Sequence, residues 1–117
     1  MTNPSIPELE DGDVMLGVPG LRYWGERWAG SWPTIDPRVS PIYGDLSQVP
    51  PTRIYQGGRD ILLADAQRFA MLARDVGADV ELLQYPDGFH VFPAATSTPE
   101  GHRVYEDMGR TVRKWSG

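Results

Sequence analysis

The 117-residue chain has no cysteine, which excludes disulfide scaffolds, thiolate catalysis and cysteine-ligated zinc or iron–sulfur centres. It has a single lysine, Lys114, and its 11 basic side chains face 16 acidic ones, a formal net charge of -5. That balance offers no basic face to phosphates, so no nucleic-acid partner is expected, and neither is adhesion to an anionic membrane. No apolar run approaches the ~20 residues that span a bilayer. Met1 to Asp13 is polar and acidic and lacks the apolar stretch of a signal peptide, so a cytoplasmic protein is expected. What the chain does hold is enough apolar matter for one core, 40% of its residues, with 13 glycines and 11 prolines that predict many loops.

Seven of the 11 prolines lie before residue 51, and residues 1–50 read as irregular apart from one short helix, about Leu21 to Trp28. Trp24, Trp28 and Trp32 follow Leu21 at helical spacing, which predicts a face packed on a core or the wall of an apolar pocket. Ile35 to Pro51, broken by Asp36-Pro37, Ser40-Pro41 and Pro50-Pro51, reads as an extended, ordered loop. Residues 51–117 are regular. Thr52–Gln56 and Val80–Tyr85 read as strands. Ala64–Val76 reads as a helix with Ala66, Phe69, Ala70, Ala73 and Val76 on one face and Gly77 as its C-terminal cap. Ser97-Thr98-Pro99-Glu100 predicts a capped start, with Ser97 as a cap, for a last helix from Glu100 to Lys114. Its predicted buried stripe is Val104, Tyr105, Met108, Val112 and Trp115.

The expected fold class is therefore α/β: strand, helix, strand, helix, with the two strands parallel through a right-handed crossover. Two strands are few for a sheet buried on both faces. The chain thus reads as the end of a larger α/β domain, and an uncovered sheet edge predicts self-association.

Chemistry in a parallel sheet gathers at the carboxyl ends of the strands. Asp60 follows the first strand and His90 the second, so a strand–helix–strand unit puts both on one edge. An Asp that accepts from a histidine ring nitrogen fixes the tautomer and frees the other nitrogen as a base. On spacing alone a second reading stands beside it, in which Asp60 caps the next helix and His90 is a loop residue. Asp65 is a competing carboxylate, placed within the helix and assigned to its surface. Phe89 and Phe92 flank the histidine and suit either an acyl pocket or ordinary packing. His102 and Glu106 have metal-ligand spacing on one helix but no third partner, so no metal site is expected. Gly57-Gly58-Arg59-Asp60 lacks the Lys-Ser/Thr ending of a phosphate loop. No cofactor is indicated.

Longer motifs add to this. Asp36-Pro-Arg-Val-Ser-Pro-Ile-Tyr-Gly-Asp-Leu, Val49-Pro-Pro-Thr, Gly57-Gly-Arg-Asp-Ile-Leu-Leu-Ala-Asp-Ala, Gly77-Ala-Asp-Val-Glu-Leu and Tyr85-Pro-Asp-Gly-Phe-His-Val-Phe-Pro occur in this order. With Asn3-Pro-Ser-Ile-Pro-Glu-Leu and Thr98-Pro-Glu-Gly, they resemble the C-terminal part of the α/β-hydrolase fold. More narrowly, they resemble the hormone-sensitive-lipase-like esterases (the α/β-hydrolase-3 group). The resemblance implies a partial hydrolase fold over residues 1–117: a cap-adjacent segment, 1–50, then the last two parallel strands with their helices. It implies a small carboxylic ester as substrate, with Asp60 as the acid and His90 as the base of a Ser–Asp–His triad, in the chain order of that fold. One departure is plain. Neither a Gly-x-Ser-x-Gly elbow nor a His-Gly-Gly-Gly oxyanion segment is present. None of Ser5, Ser31, Ser40, Ser47, Ser97 and Ser116 lies in a glycine-flanked strand-to-helix turn, so no nucleophile is assigned and the chain alone is expected to be catalytically incomplete. The alternative is an inactive gene product, or an interaction module that needs a complementary chain.

Overall fold

The computed structural model describes residues 3–117, in which two parallel strands carry the site and two groups of helices hold them. Strand β1 (Thr52–Gly57) and strand β2 (Val80–Tyr85) pair in register from Thr52 beside Val80 to Gly57 beside Tyr85. Each therefore keeps one unpaired edge among the described residues. Ahead of them lie helix α1 (Ile6–Glu10), helix α2 (Val18–Ala29) and single 3-10 turns at Pro41–Tyr43 and Leu46–Gln48. Helix α3 (Leu63–Asp75) crosses from β1 to β2, and helix α4 (Pro99–Ser116) follows the 3-10 turn Phe92–Ala94.

The strands and α3 fall where alternation and period place them, to within a residue at each end. Gly77 takes the left-handed φ of 83° that a helix-ending turn needs. For α4 the cap is Thr98 and not Ser97: its hydroxyl accepts the Gly101 N–H at 3.1 Å. Only the hydroxyl next to the first helical residue reaches that amide. In the first 50 residues, α2 begins three residues before the predicted Leu21, and α1 is an addition of five residues.

The core has two parts. In one, Leu46, Ala70, Ala73 and Val80 are buried with Val49, Ile54, Phe69 and Leu82 against them, which seats α3 on the sheet. In the other, Ile6 from α1 and Val18 from α2 meet Ile61 and Ala64, which lie just after β1. The N-terminal helices thus pack against the turn that follows Asp60. On α4, the Arg53 guanidinium of β1 reaches the Asp107 carboxylate at 3.0 Å and Thr111 Oγ1 at 2.8 Å, and also pairs with Glu81. Tyr55 donates its hydroxyl to the same carboxylate at 2.6 Å.

Two predicted faces are corrected. On α4 the buried residues are Gly101, Val104 and Thr111, whereas Tyr105, Met108, Val112 and Trp115 are exposed. Asp107 and Thr111 are tied to β1 by Arg53 and Tyr55, so of the predicted stripe only Val104 is buried as expected. On α2, Val18 and Ala29 are buried and Trp24 and Trp28 are exposed, as is Trp32 just past its end. The spacing puts the tryptophans on one side of the chain, but the packed side is the one that meets Ile6 and Ile61. On α3, Ala70 and Ala73 are buried as predicted but Val76, past the helix end, is 53% exposed.

Four carboxyls are held below the ordinary range for aspartate. Asp36 is lowered to about 2 by the Arg38 side chain, which binds it with a two-pronged fork, and by the Arg38 amide. Asp45 is lowered by Ser47. Asp107 is lowered most by the Tyr55 hydroxyl; burial pushes the other way, and Arg110 and Arg53 add to the lowering. At Asp13, burial pushes upward, and the N–H groups of Ile61, Met15 and Leu16 together outweigh it. A depressed folded pKa stabilises above the unfolded value, about 3.9, and that contribution fades as pH falls through the folded value. The melting temperature is therefore expected to drop on acidification below about pH 4. In Asp36→Asn the fall nearest the lower end should be shallower. Melting curves across that range check both. A slope unchanged by Asp36→Asn would contradict the fork's contribution.

Candidate active site

Both candidate groups sit where the strands end. Gly57 and Tyr85 lie side by side, and the two following turns are joined directly. Gly58 N–H donates to Tyr85 O at 2.7 Å, and Arg59 N–H donates to Gly88 O at 2.9 Å. These bonds hold the chain just before Asp60 and the chain just before His90 in one block. A Cβ at Gly57 would stand 2.7 Å from the Gly88 carbonyl carbon and 2.8 Å from Phe89 O, so only glycine permits this approach.

Within the block Asp60 is buried, 5% exposed, and carries two distinct contacts. Its Oδ1 accepts the Leu62 N–H at 2.8 Å, closing the turn into α3. Its Oδ2 lies 3.0 Å from His90 Nδ1. A carboxylate is the acceptor in that pair, so Nδ1 carries the proton and Nε2 holds the free lone pair. The histidine side chain is 25% exposed. Val91, next in the chain, has φ 53°, a left-handed conformation that a β-branched residue rarely adopts. Strain of this kind persists only where the surroundings impose it, and here it re-aims the chain immediately after His90.

The pair opens on a cleft of about 320 Å³ lined by residues that include Tyr55, Gln56, Asp60, His90, Phe92 and Tyr105. No serine is among its lining residues. Phe92 is buried, its ring 4.8 Å from that of Tyr85, and it is among the residues that line the cleft. Phe89 is half-buried and does not line the cleft. A larger groove of about 820 Å³ lies between α2 and the loop before β1, with Trp28, Tyr43 and Asp65 in its wall. It shares only Leu62 with the smaller cleft, which is the one that the acid–histidine pair lines. His102 and Glu106 lie 3.4 Å apart on the exposed surface of α4. Among the described residues no group of three potential ligands could hold a metal. No helix among them is long and apolar enough to cross a membrane.

A buried carboxylate, a histidine in contact with it and a cleft thus meet at the carboxyl ends of two parallel strands. A family model described as the alpha/beta hydrolase fold matches residues 2–94. The chain belongs to the α/β-hydrolase fold family. Among curated relatives, an acetyl-hydrolase of Streptomyces hygroscopicus is 31% identical over 106 residues, 90% of this chain and 36% of its own length. Among solved structures, an esterase/lipase from an uncultured bacterium superposes with a TM-score of 0.89 at 26% identity. It covers 99% of this chain and 39% of that one. A hormone-sensitive lipase from a metagenome library superposes at 0.79 with 31% identity, over 86% of this chain and 35% of that one. The chain thus spans a little over a third of the length of such relatives. The hydrolase fold is present here in part, as two parallel strands and their helices, and the esterase/lipase branch is the one it resembles.

One residue escaped the sequence reading. Asp13 Oδ2 accepts the Ile61 N–H at 2.8 Å, beside Asp60, across 48 positions of sequence. Nothing in the local pattern Asp11-Gly12-Asp13 signals that partner.

Proposed function

We propose that this hydrolase-fold chain supplies the acid, Asp60, and the histidine, His90, of a Ser–Asp–His site that cleaves small carboxylic esters. The observation that carries it is the 3.0 Å contact from a buried Asp60 to His90 Nδ1 at the cleft. Asp60 orients the ring and stabilises the imidazolium. His90 Nε2 takes the proton from a serine hydroxyl as that oxygen attacks the ester carbonyl. The same nitrogen then returns the proton to the departing alcohol as the carbon–oxygen bond of the tetrahedral intermediate breaks. Water repeats the cycle on the acyl-serine. The serine and the oxyanion donors come from outside this chain, because its own sequence contains neither motif.

Oxyanion donors alone are worth about 10²–10³ in rate, and without a nucleophile no acyl intermediate forms. The isolated chain is therefore expected to leave p-nitrophenyl butyrate at its buffer rate. The same chain joined behind the nucleophile-bearing portion of an esterase relative is expected to turn it over. Robust turnover by the isolated chain, lost in His90→Ala, would contradict the division of labour.

Self-association belongs to this reading as well. Among the described residues each strand has an unpaired edge, and such edges pair with other chains. Sedimentation velocity is expected to show species larger than the monomer that grow with concentration. A single monomer at all concentrations would remove this element.

A further inference from the structure

We propose that Asp13 is a positioning residue for the Asp60–His90 pair: its carboxylate holds the turn that carries Asp60 and so sets the line from that side chain to the His90 ring. The proposal rests on reading the pair as the acid and histidine of the site. The geometry is specific. Asp13 Oδ1 accepts the N–H groups of Met15 at 2.8 Å and Leu16 at 2.9 Å, which folds the N-terminal segment around the carboxylate. Its Oδ2 is thereby left for the Ile61 N–H at 2.8 Å. The next amide, Leu62 N–H, goes to Asp60 Oδ1 at 2.8 Å, and Leu63 N–H goes to Asp60 O at 2.9 Å. Three successive amides after Asp60 are therefore fixed, the first by Asp13 and the other two by Asp60 itself.

The packing supports the same role. Ile61 is fully buried, with Ile6, Val18 and Ala64 around it. Its amide therefore cannot turn freely to water, and a buried donor left unpaired is costly. The acceptor that meets it is Asp13 Oδ2. The peptide plane between Asp60 and Ile61 sets the direction in which the Asp60 side chain leaves the backbone. Holding that plane leaves Asp60 Oδ2, whose partner oxygen is already engaged by Leu62, aimed at Nδ1. The Asp13 carboxyl is held below the ordinary aspartate range, and its charge lies near enough to attract an imidazolium at His90.

The test uses this chain, labelled with ¹⁵N, and needs no added ligand. In the wild type the Ile61 amide is expected to be protected from hydrogen exchange, and the His90 ring to show a protonated Nδ1. Asp13→Asn keeps one oxygen for Met15 and Leu16 and presents an NH₂ group to Ile61. It is expected to speed Ile61 exchange by about tenfold or more and to weaken or abolish the Nδ1–H signal, while the Met15 and Leu16 amides stay protected. Faster Ile61 exchange with an unchanged Nδ1–H signal would overturn positioning and leave Asp13 a staple of the N-terminal segment. Should Asp13→Asn fail to fold, the wild type still decides, since an Ile61 amide that exchanges as fast as an open loop would overturn the proposal. Asp60→Asn separates the two readings. Loss of the Nδ1–H signal in Asp60→Asn but not in Asp13→Asn sinks the role of Asp13 alone. Its persistence in Asp60→Asn sinks the pair itself, and the role of Asp13 with it.

Discussion

Asp60→Asn is expected to lower kcat for p-nitrophenyl butyrate by about 10⁴-fold when this chain follows the nucleophile-bearing portion of a related esterase. The amide is nearly isosteric with the carboxylate, so the turn built on Leu62 N–H survives. What changes is the group opposite His90 Nδ1. An NH₂ there donates and does not accept, so the ring takes the other tautomer and Nε2 arrives protonated, unable to accept from serine. The charge that stabilises the imidazolium is lost as well. His90→Ala removes the proton carrier outright, with an expected loss of about 10⁶-fold in kcat. In both variants KM should move little, because neither group binds the ground-state ester. Asp65→Asn, in the first turn of α3, is the control and should leave kcat close to the wild-type value. Initial rates of the four proteins decide the matter. A loss smaller in Asp60→Asn than in Asp65→Asn would move the acid role to the other carboxylate.

The second large effect concerns the backbone between the two groups. Gly57→Ala is expected to destabilise the fold by about 3 kcal/mol or more, since overpacking a rigid site costs ~1–3 kcal/mol and the obstruction here is the main chain of the turn after β2. The new Cβ would meet the Gly88 carbonyl carbon at 2.7 Å and Phe89 O at 2.8 Å. No rotamer can relieve a clash between a Cβ and a backbone. Relief requires the turn after β2 to move off β1, which stretches the Arg59 N–H bond to Gly88 O and carries His90 away from Asp60. For a chain of this length the shift in melting temperature should be on the order of 10 °C. Urea unfolding with fixed m-value checks it, and a variant as stable as the wild type would show that the two turns are not in contact.

How far the sequence could be read depended on whether the deciding contact was local. Val80–Tyr85 was legible because alternation and the Pro86-Asp87-Gly88 turn lie within a few residues, and Gly77 because a helix end demands a left-handed backbone. Asp60 and His90 were legible as positions because two parallel strands leave no other edge for their loops. The faces of α2 and α4 were not legible. Periodicity groups Trp24 with Trp28, and Tyr105 with Met108, but it is blind to which side meets another element. That was settled by Ile61 for α2, and by the Arg53–Asp107–Thr111 bonds for α4. Helix α1 is too short for a period to appear, and its place is fixed by one buried residue, Ile6. Asp13 and Ile61 are 48 positions apart and meet only in the folded chain.

The most direct measurement of the central claim is a ¹H–¹⁵N correlation spectrum of the His90 ring in the wild-type chain at about pH 8, where an ordinary imidazole is neutral. The Asp60–His90 geometry predicts a proton on Nδ1, protected from solvent and lost in Asp60→Asn. A ring protonated on Nε2, or an Nδ1–H signal indifferent to Asp60→Asn, would contradict the claim that this chain carries the acid and the histidine of an esterase site.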